Sequence, residues 1–269
     1  MRAETPSGLQ IAFLSFAVLL LAVPLSSYLA ELQGATTEER DVIGRGLPFL
    51  LGALLLATFP RLRRRVGRDL SVGIPAEKRT EVLAVTIAKL SLAVAFMGAS
   101  ALWHWTLEGG SGLERHMGPA WNRDAQLAFA FSPMGLVFFF LVAAVLGPLI
   151  EELLFRDFLQ RAWEKRWGWL PAMLMTSTLF AIYHRHFVPS FLGGIVYACL
   201  VRRTGSLWSA IAAHSVFNAA HWYPLLGQFL MPAEGLPIGE LDSWRWHLAC
   251  LAFVSIALPG YVLVARKSS

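Results

Sequence analysis

The sequence predicts an all-α, polytopic membrane protein, with about eight transmembrane helices around a polar intramembrane cavity. Three observations carry this reading. Of 269 residues, 56% are apolar and only 15% charged, with a mean hydropathy of +0.54, which is too apolar for a water-soluble domain. Apolar runs recur at roughly the 20 residues that one helical crossing requires. Acids and imidazoles sit on those runs, where a charge costs about 2.5–3.5 kcal/mol on insertion scales and therefore faces a cavity or a partner. No internal repeat, low-complexity tract or domain-length loop interrupts the pattern, so residues 1–269 read as one integral membrane domain with a motif-bearing core at about 127–230.

In chain order the apolar runs fall at roughly 9–30, 43–60, 82–106, 127–154, 168–183, 187–201, 206–230 and 246–265. The first is longer than a signal-peptide core and has no small-residue cleavage site, so it reads as a retained helix. Placing the N-terminus in the cytoplasm puts sixteen Lys and Arg on that side and six on the other. The positive-inside rule therefore predicts a multi-pass protein of the cell inner (plasma) membrane with both termini cytoplasmic. Trp103, Trp105, Trp222, Trp244 and Trp246 then mark the outer interface, and Trp163, Trp167, Trp169 and Trp208 the inner one. The net charge of +5 is gathered between apolar runs, which argues against nucleic acid as a partner.

Two runs are short. Trp169 to Tyr183 and Phe187 to Val201 hold fifteen residues each, about 22 Å of helix against about 30 Å of hydrocarbon. Their connection, His184 to Ser190, is expected to turn below the outer surface, where irregular backbone is tolerated only beside protein or a water-filled cavity.

The fourth run ends in Glu151-Glu152-Leu153-Leu154-Phe155-Arg156. Gly147 and Pro148 precede the acids, so the helix is expected to bend or loosen one turn earlier. Glu152 and Arg156 are four apart and share a face, which suits a structural ion pair, whereas Glu151 points about 100° away and is left for chemistry. His184 lies four residues after Phe180, so imidazole and ring share a face at the start of the short connection. His214 and Asn218, also four apart, project from one face of the seventh run at mid-depth. His186 and His221 are weaker candidates, and His104, His116 and His247 read as interfacial or loop residues. Lys89, about 10 Å inside the third run, reads as a side chain that snorkels to the cytoplasm. Cys199 and Cys250 fall near opposite faces and read as packing residues without a disulfide. The five arginines between Arg61 and Arg68 read as an orientation signal that also favours anionic lipid.

Glu151-Glu152-x-x-x-Arg156, Phe180-x-x-x-His184 and His214-x-x-x-Asn218, on successive membrane helices, resemble the three motifs of the CPBP family, the CAAX-protease and bacteriocin-processing glutamic intramembrane proteases. Gly193-Gly194, Arg203 to Trp208 and Ala210 to Asn218 are also similar to bacterial members. The resemblance spans about residues 140–225. It implies an intramembrane endopeptidase without cofactor or metal, acting on a peptide or protein substrate that is lipid-modified or membrane-anchored. Glu151 and His184 would activate a water, His214 and Asn218 would hold the oxyanion, and Glu152, Arg156 and Phe180 would support the site. Two other classes remain open on the residues alone. One is a zinc protease with Glu151, His184 and His214 as ligands, although no His-Glu-x-x-His occurs. The other is a non-enzymatic immunity factor, scaffold or transporter that uses the same groups as a proton relay.

Overall fold

A computed structural model describes residues 60–109, 137, 140–184, 187–230 and 244–268. Every regular element among them is helical. The run 9–30, residues 43–59, residues 127–136 and His186 lie outside the described residues.

The first described helix is α1, Pro60–Ser71, and a 3-10 turn at Ala76–Lys78 leads into the 30-residue α2, Arg79–Glu108. Next comes α3, residues 142–167, a single helix with two widened stretches. A π turn at Val142–Leu146 precedes regular helix over Gly147–Glu152. A second π segment, Leu153–Gln160, runs into regular helix over Arg161–Trp167. The loosening expected near Gly147-Pro148 is thus a π turn directly before them, and the helix continues well past residue 154. Gly168, at φ +82°, ends α3 with its N–H donating to Glu164 O at 2.9 Å, a left-handed exit that favours glycine.

Then follow α4, Trp169–Tyr183, α5, Phe187–Thr204, α6, Leu207–Leu230, and α7, Trp244–Arg266. At 18 residues α5 is longer than the fifteen expected. Pro189 sits in its first turn, where the missing N–H has no intrahelical acceptor to lose, so the connection from α4 is shorter than His184 to Ser190. Helix α5 closes at Gly205, φ +67°, whose N–H reaches Val201 O at 2.9 Å.

The core forms where α3 meets α4, α5 and α6. Leu153, Leu154, Phe155, Phe158 and Leu159 of α3 pack with Phe180, Tyr197, Leu200, Leu207 and Ile211. Helices α4 and α5 approach closely because Gly194 has no side chain: a Cβ there would lie 3.0 Å from Ser177 Oγ. Polar and charged side chains are buried beside this apolar core, and large apolar ones face outward. Glu152, Arg156, Asp157, Thr176, Ser177 and Ser209 are buried, while Leu83, Ile182 and Ile256 are 61%, 60% and 78% exposed. An apolar exterior around a polar interior suits hydrocarbon as solvent. Among the described residues one stretch, Ala249–Arg266, is long and apolar enough by itself to cross a membrane, with mean hydropathy 1.8, and Trp169–Ile182 is a shorter apolar helix. The all-helical expectation holds to that extent, and the count of eight crossings is not confirmed. Both Cys199 and Cys250 are free, as expected.

Candidate active site

The site starts from the widened turn of α3. Gly147 donates its N–H to Val142 O, five residues back. In that register the carbonyl of Ala143 would need a donor from residue 148, which is proline and has none. Asn218 of α6 supplies it, its Nδ2 lying 2.8 Å from Ala143 O. A side-chain amide thus satisfies a main-chain carbonyl that the π turn and the proline leave open, and it ties α6 to α3. Gly147 is needed by close approach, because a Cβ would lie 3.0 Å from Val142 O and 3.8 Å from Glu151 Oε1.

One turn on, the two acids separate as helical phase predicts. Glu152 is fully buried, with Oε2 3.1 Å from Arg156 Nε and Oε1 2.9 Å from His214 Nδ1. Arg156, also fully buried, reaches Thr176 Oγ1 at 3.3 Å and Gln160 Oε1 at 3.5 Å. Glu151 faces elsewhere. Its Oε2 lies 3.5 Å from His184 Nε2 and 3.9 Å from His214 Nε2 and has no hydrogen-bond partner among the described residues. The Glu151 side chain is 21% exposed and that of His184 29%, whereas His214 is 4% exposed. The mouth of the site therefore lies on the Glu151–His184 side.

Backbone geometry fixes which nitrogen of His184 does what. His184 leaves α4 in extended conformation, φ −102° and ψ 148°, and its Nδ1 lies 2.6 Å from Phe180 O. A carbonyl only accepts, so Nδ1 carries the proton and Nε2 is presented to Glu151. In His214 the carboxylate of Glu152 likewise accepts from Nδ1–H, and again Nε2 faces Glu151. Phe180 is the hub of the packing. It lies tilted against His184 at 4.2 Å and meets Phe155, His214 and Tyr197 edge-on at 5.3, 5.7 and 6.2 Å, with the Arg156 guanidinium 5.5 Å over its ring.

Comparison with known proteins covers the segment that carries these residues. Residues 133–220 match the family model of Rce1-like, type II CAAX prenyl endopeptidases, a segment that contains Glu151, Glu152, Arg156, Phe180, His184, His214 and Asn218. The chain is also similar to a Bacillus subtilis (strain 168) protein named "Putative membrane peptidase YdiL", at 26% identity over 212 residues, 74% of this chain and 80% of that one. Both matches support the resemblance to the CPBP family. No solved structure matches it.

Two residues of this candidate site had no signature in the motifs. Tyr197 of α5 is buried and stacks on His214, centroids 4.6 Å apart and planes at 21°. Lys89 of α2 does not snorkel outward: it is 5% exposed, its ammonium 3.1 Å from the Phe217 ring centroid and 4.7 Å from that of Tyr197. Gly193 clears space for it, since a Cβ would lie 3.2 Å from Lys89 Cε. The sequence signal was an ionisable group inside an apolar run, and only the fold shows which rings surround it. Among the described residues no three His, Cys, Asp or Glu form a group that could hold a metal ion. The side chain of His221 lies outside the described residues.

Proposed function

We propose that this chain is a CPBP-type, multi-pass intramembrane endopeptidase of glutamic type, both termini cytoplasmic, cleaving a C-terminal or membrane-anchored peptide with water activated by Glu151 and His184. The observation that carries the reading is the convergence on one carboxylate oxygen: Glu151 Oε2 is 3.5 Å from His184 Nε2 and 3.9 Å from His214 Nε2. A water donating one hydrogen to Glu151 and the other to His184 Nε2 would turn its lone pairs toward a scissile carbonyl. Glu151 takes the proton as the C–O bond forms, and later delivers it to the leaving amine as the C–N bond breaks. His214 Nε2 and the second amide N–H of Asn218 donate to the oxyanion. Because His214 Nδ1–H is given to Glu152, donation through Nε2 takes the doubly protonated ring. Glu152, Arg156 and Phe180 hold these groups in place.

The family description names prenyl endopeptidases, which makes a farnesylated C-terminal peptide the first probe. The reconstituted chain is incubated with that peptide and products are read by mass spectrometry. Cleavage by the wild type, with Glu151→Gln and His184→Ala each slower by about 10²–10⁴-fold at unchanged fold, is expected. Glu151→Gln turning over at the wild-type rate would overturn the proposal.

A further inference from the structure

Helix α1 carries a second site on its outer face. Its 12 residues include five arginines and are too polar to lie in hydrocarbon. Its arginines divide by direction. Arg65 turns inward, with Nη2 3.0 Å from Asp157 O, Nε 3.4 Å from Asp157 Oδ2, and its guanidinium 4.6 Å over Phe158. Arg64 and Arg68 turn outward and are exposed, with no acidic partner among the described residues. They share a stripe with Gly67 and Ser71 at helical spacing i, i+3, i+4 and i+7, and these four residues line one open groove. Its floor is bare, since a Cβ on Gly67 would meet nothing within 4 Å.

The helix is held rigidly while that face stays open. Val66 is buried in the core cluster and Leu70 packs against it. At its C-terminal end, Leu70 O accepts from Trp208 Nε1 at 2.7 Å and Val72 O from Ser206 Oγ at 2.8 Å. Trp208 is itself 37% exposed, and an indole of that kind beside an apolar exterior marks the headgroup level. The surrounding end of the bundle also carries Arg161 and Asp69, paired at 3.1 Å.

We propose that Arg64 and Arg68, flanking Gly67 on the outer face of α1, bind the phosphate of an anionic phospholipid and seat the helix in the headgroup layer. Two guanidiniums over a glycine floor offer bidentate donors to a phosphate. Nothing about the proteolytic reading enters, because only the membrane setting and the charge of the groove are used.

The test measures the association of fluorescent phosphatidylglycerol, relative to phosphatidylcholine, with the full chain in nanodiscs. Each arginine near an anionic lipid surface contributes about fivefold in association, so Arg64→Gln/Arg68→Gln is expected to lower the wild-type preference roughly 25-fold. Arg63→Gln, off the stripe, lowers it less, and Gly67→Leu, which fills the floor without removing charge, weakens it as well. A double variant that remains monodisperse and keeps the full preference would overturn the proposal. So would displacement of the lipid by millimolar inorganic phosphate, which would make the groove a site for a soluble anion.

Discussion

Replacing Arg156 with alanine tests the support of the site. Arg156 and Glu152 are fully buried and 3.1 Å apart, so that without Arg156 the Glu152 carboxylate keeps, among the described residues, only its bond to His214. Removing one member of a buried pair typically costs about 3–5 kcal/mol, because the other is left uncompensated. At about 2–4 °C per kcal/mol for a chain of this size, Arg156→Ala should lower the melting temperature by roughly 6–20 °C, read by thermal unfolding in detergent. The cause can be separated from lost packing. Arg156→Met keeps most of the volume and should be nearly as damaging alone, whereas Glu152→Gln/Arg156→Met removes both charges and should be more stable than the sum of the single effects, by about 2 kcal/mol or more. An Arg156→Ala protein that melts within two degrees or so of wild type would refute the assignment. If it also lost cleavage, Arg156 would belong to the chemistry instead.

Other perturbations follow from the same contacts. Gly147→Ala places a methyl 3.0 Å from Val142 O, so the π turn must shift and carry Glu151 with it; thermal unfolding should show a loss of about 1–3 kcal/mol, together with lower turnover. Gly193→Ala meets Lys89 Cε at 3.2 Å and should destabilise, while Lys89→Ala/Gly193→Ala should recover more than additivity allows, as melting curves of the four proteins would show. Glu81 ties three helices together, accepting from Arg203 Nε at 2.6 Å and Tyr261 Oη at 3.2 Å, and the Arg203 hydrogen bond holds its carboxyl below the ordinary glutamate value. A carboxyl lowered on folding contributes stability that is complete above its unfolded value and is lost as pH falls through the folded one. The melting temperature should therefore drop on acidification below about pH 4.5, and Glu81→Gln should flatten that slope.

The parts of this site that were legible in the sequence are those that helical phase decides. Glu152 with Arg156, and Phe180 with His184, are four-residue neighbours on one helix, so their contacts follow from pitch. The separation of Glu151 from Glu152 follows in the same way. What joins different helices was not legible beyond the family resemblance. The 2.9 Å contact of His214 with Glu152, the Tyr197 ring stacked on His214 and the Lys89 ammonium over Phe217 depend on how α2, α3, α5 and α6 pack. Asn218 shows the limit well. Its spacing from His214 marked it as polar and mid-helix, but its bond to Ala143 O arises from a π turn ended by a proline, which periodicity alone does not specify. The expected connection, His184 to Ser190, overlapped the run expected from Phe187, and the helix takes the shared residues because Pro189 in a first turn breaks nothing.

The central claim is that Glu151 acts as a base on water and not as a nucleophile. A single turnover in oxygen-18 water, with the farnesylated peptide and an excess of the reconstituted chain, tests it most directly by mass spectrometry of both partners. The account predicts one heavy oxygen in the new C-terminal carboxylate of the cleaved peptide and none in Glu151. Heavy oxygen in the Glu151 carboxylate would reveal an acyl-enzyme anhydride opened by water, and would contradict it.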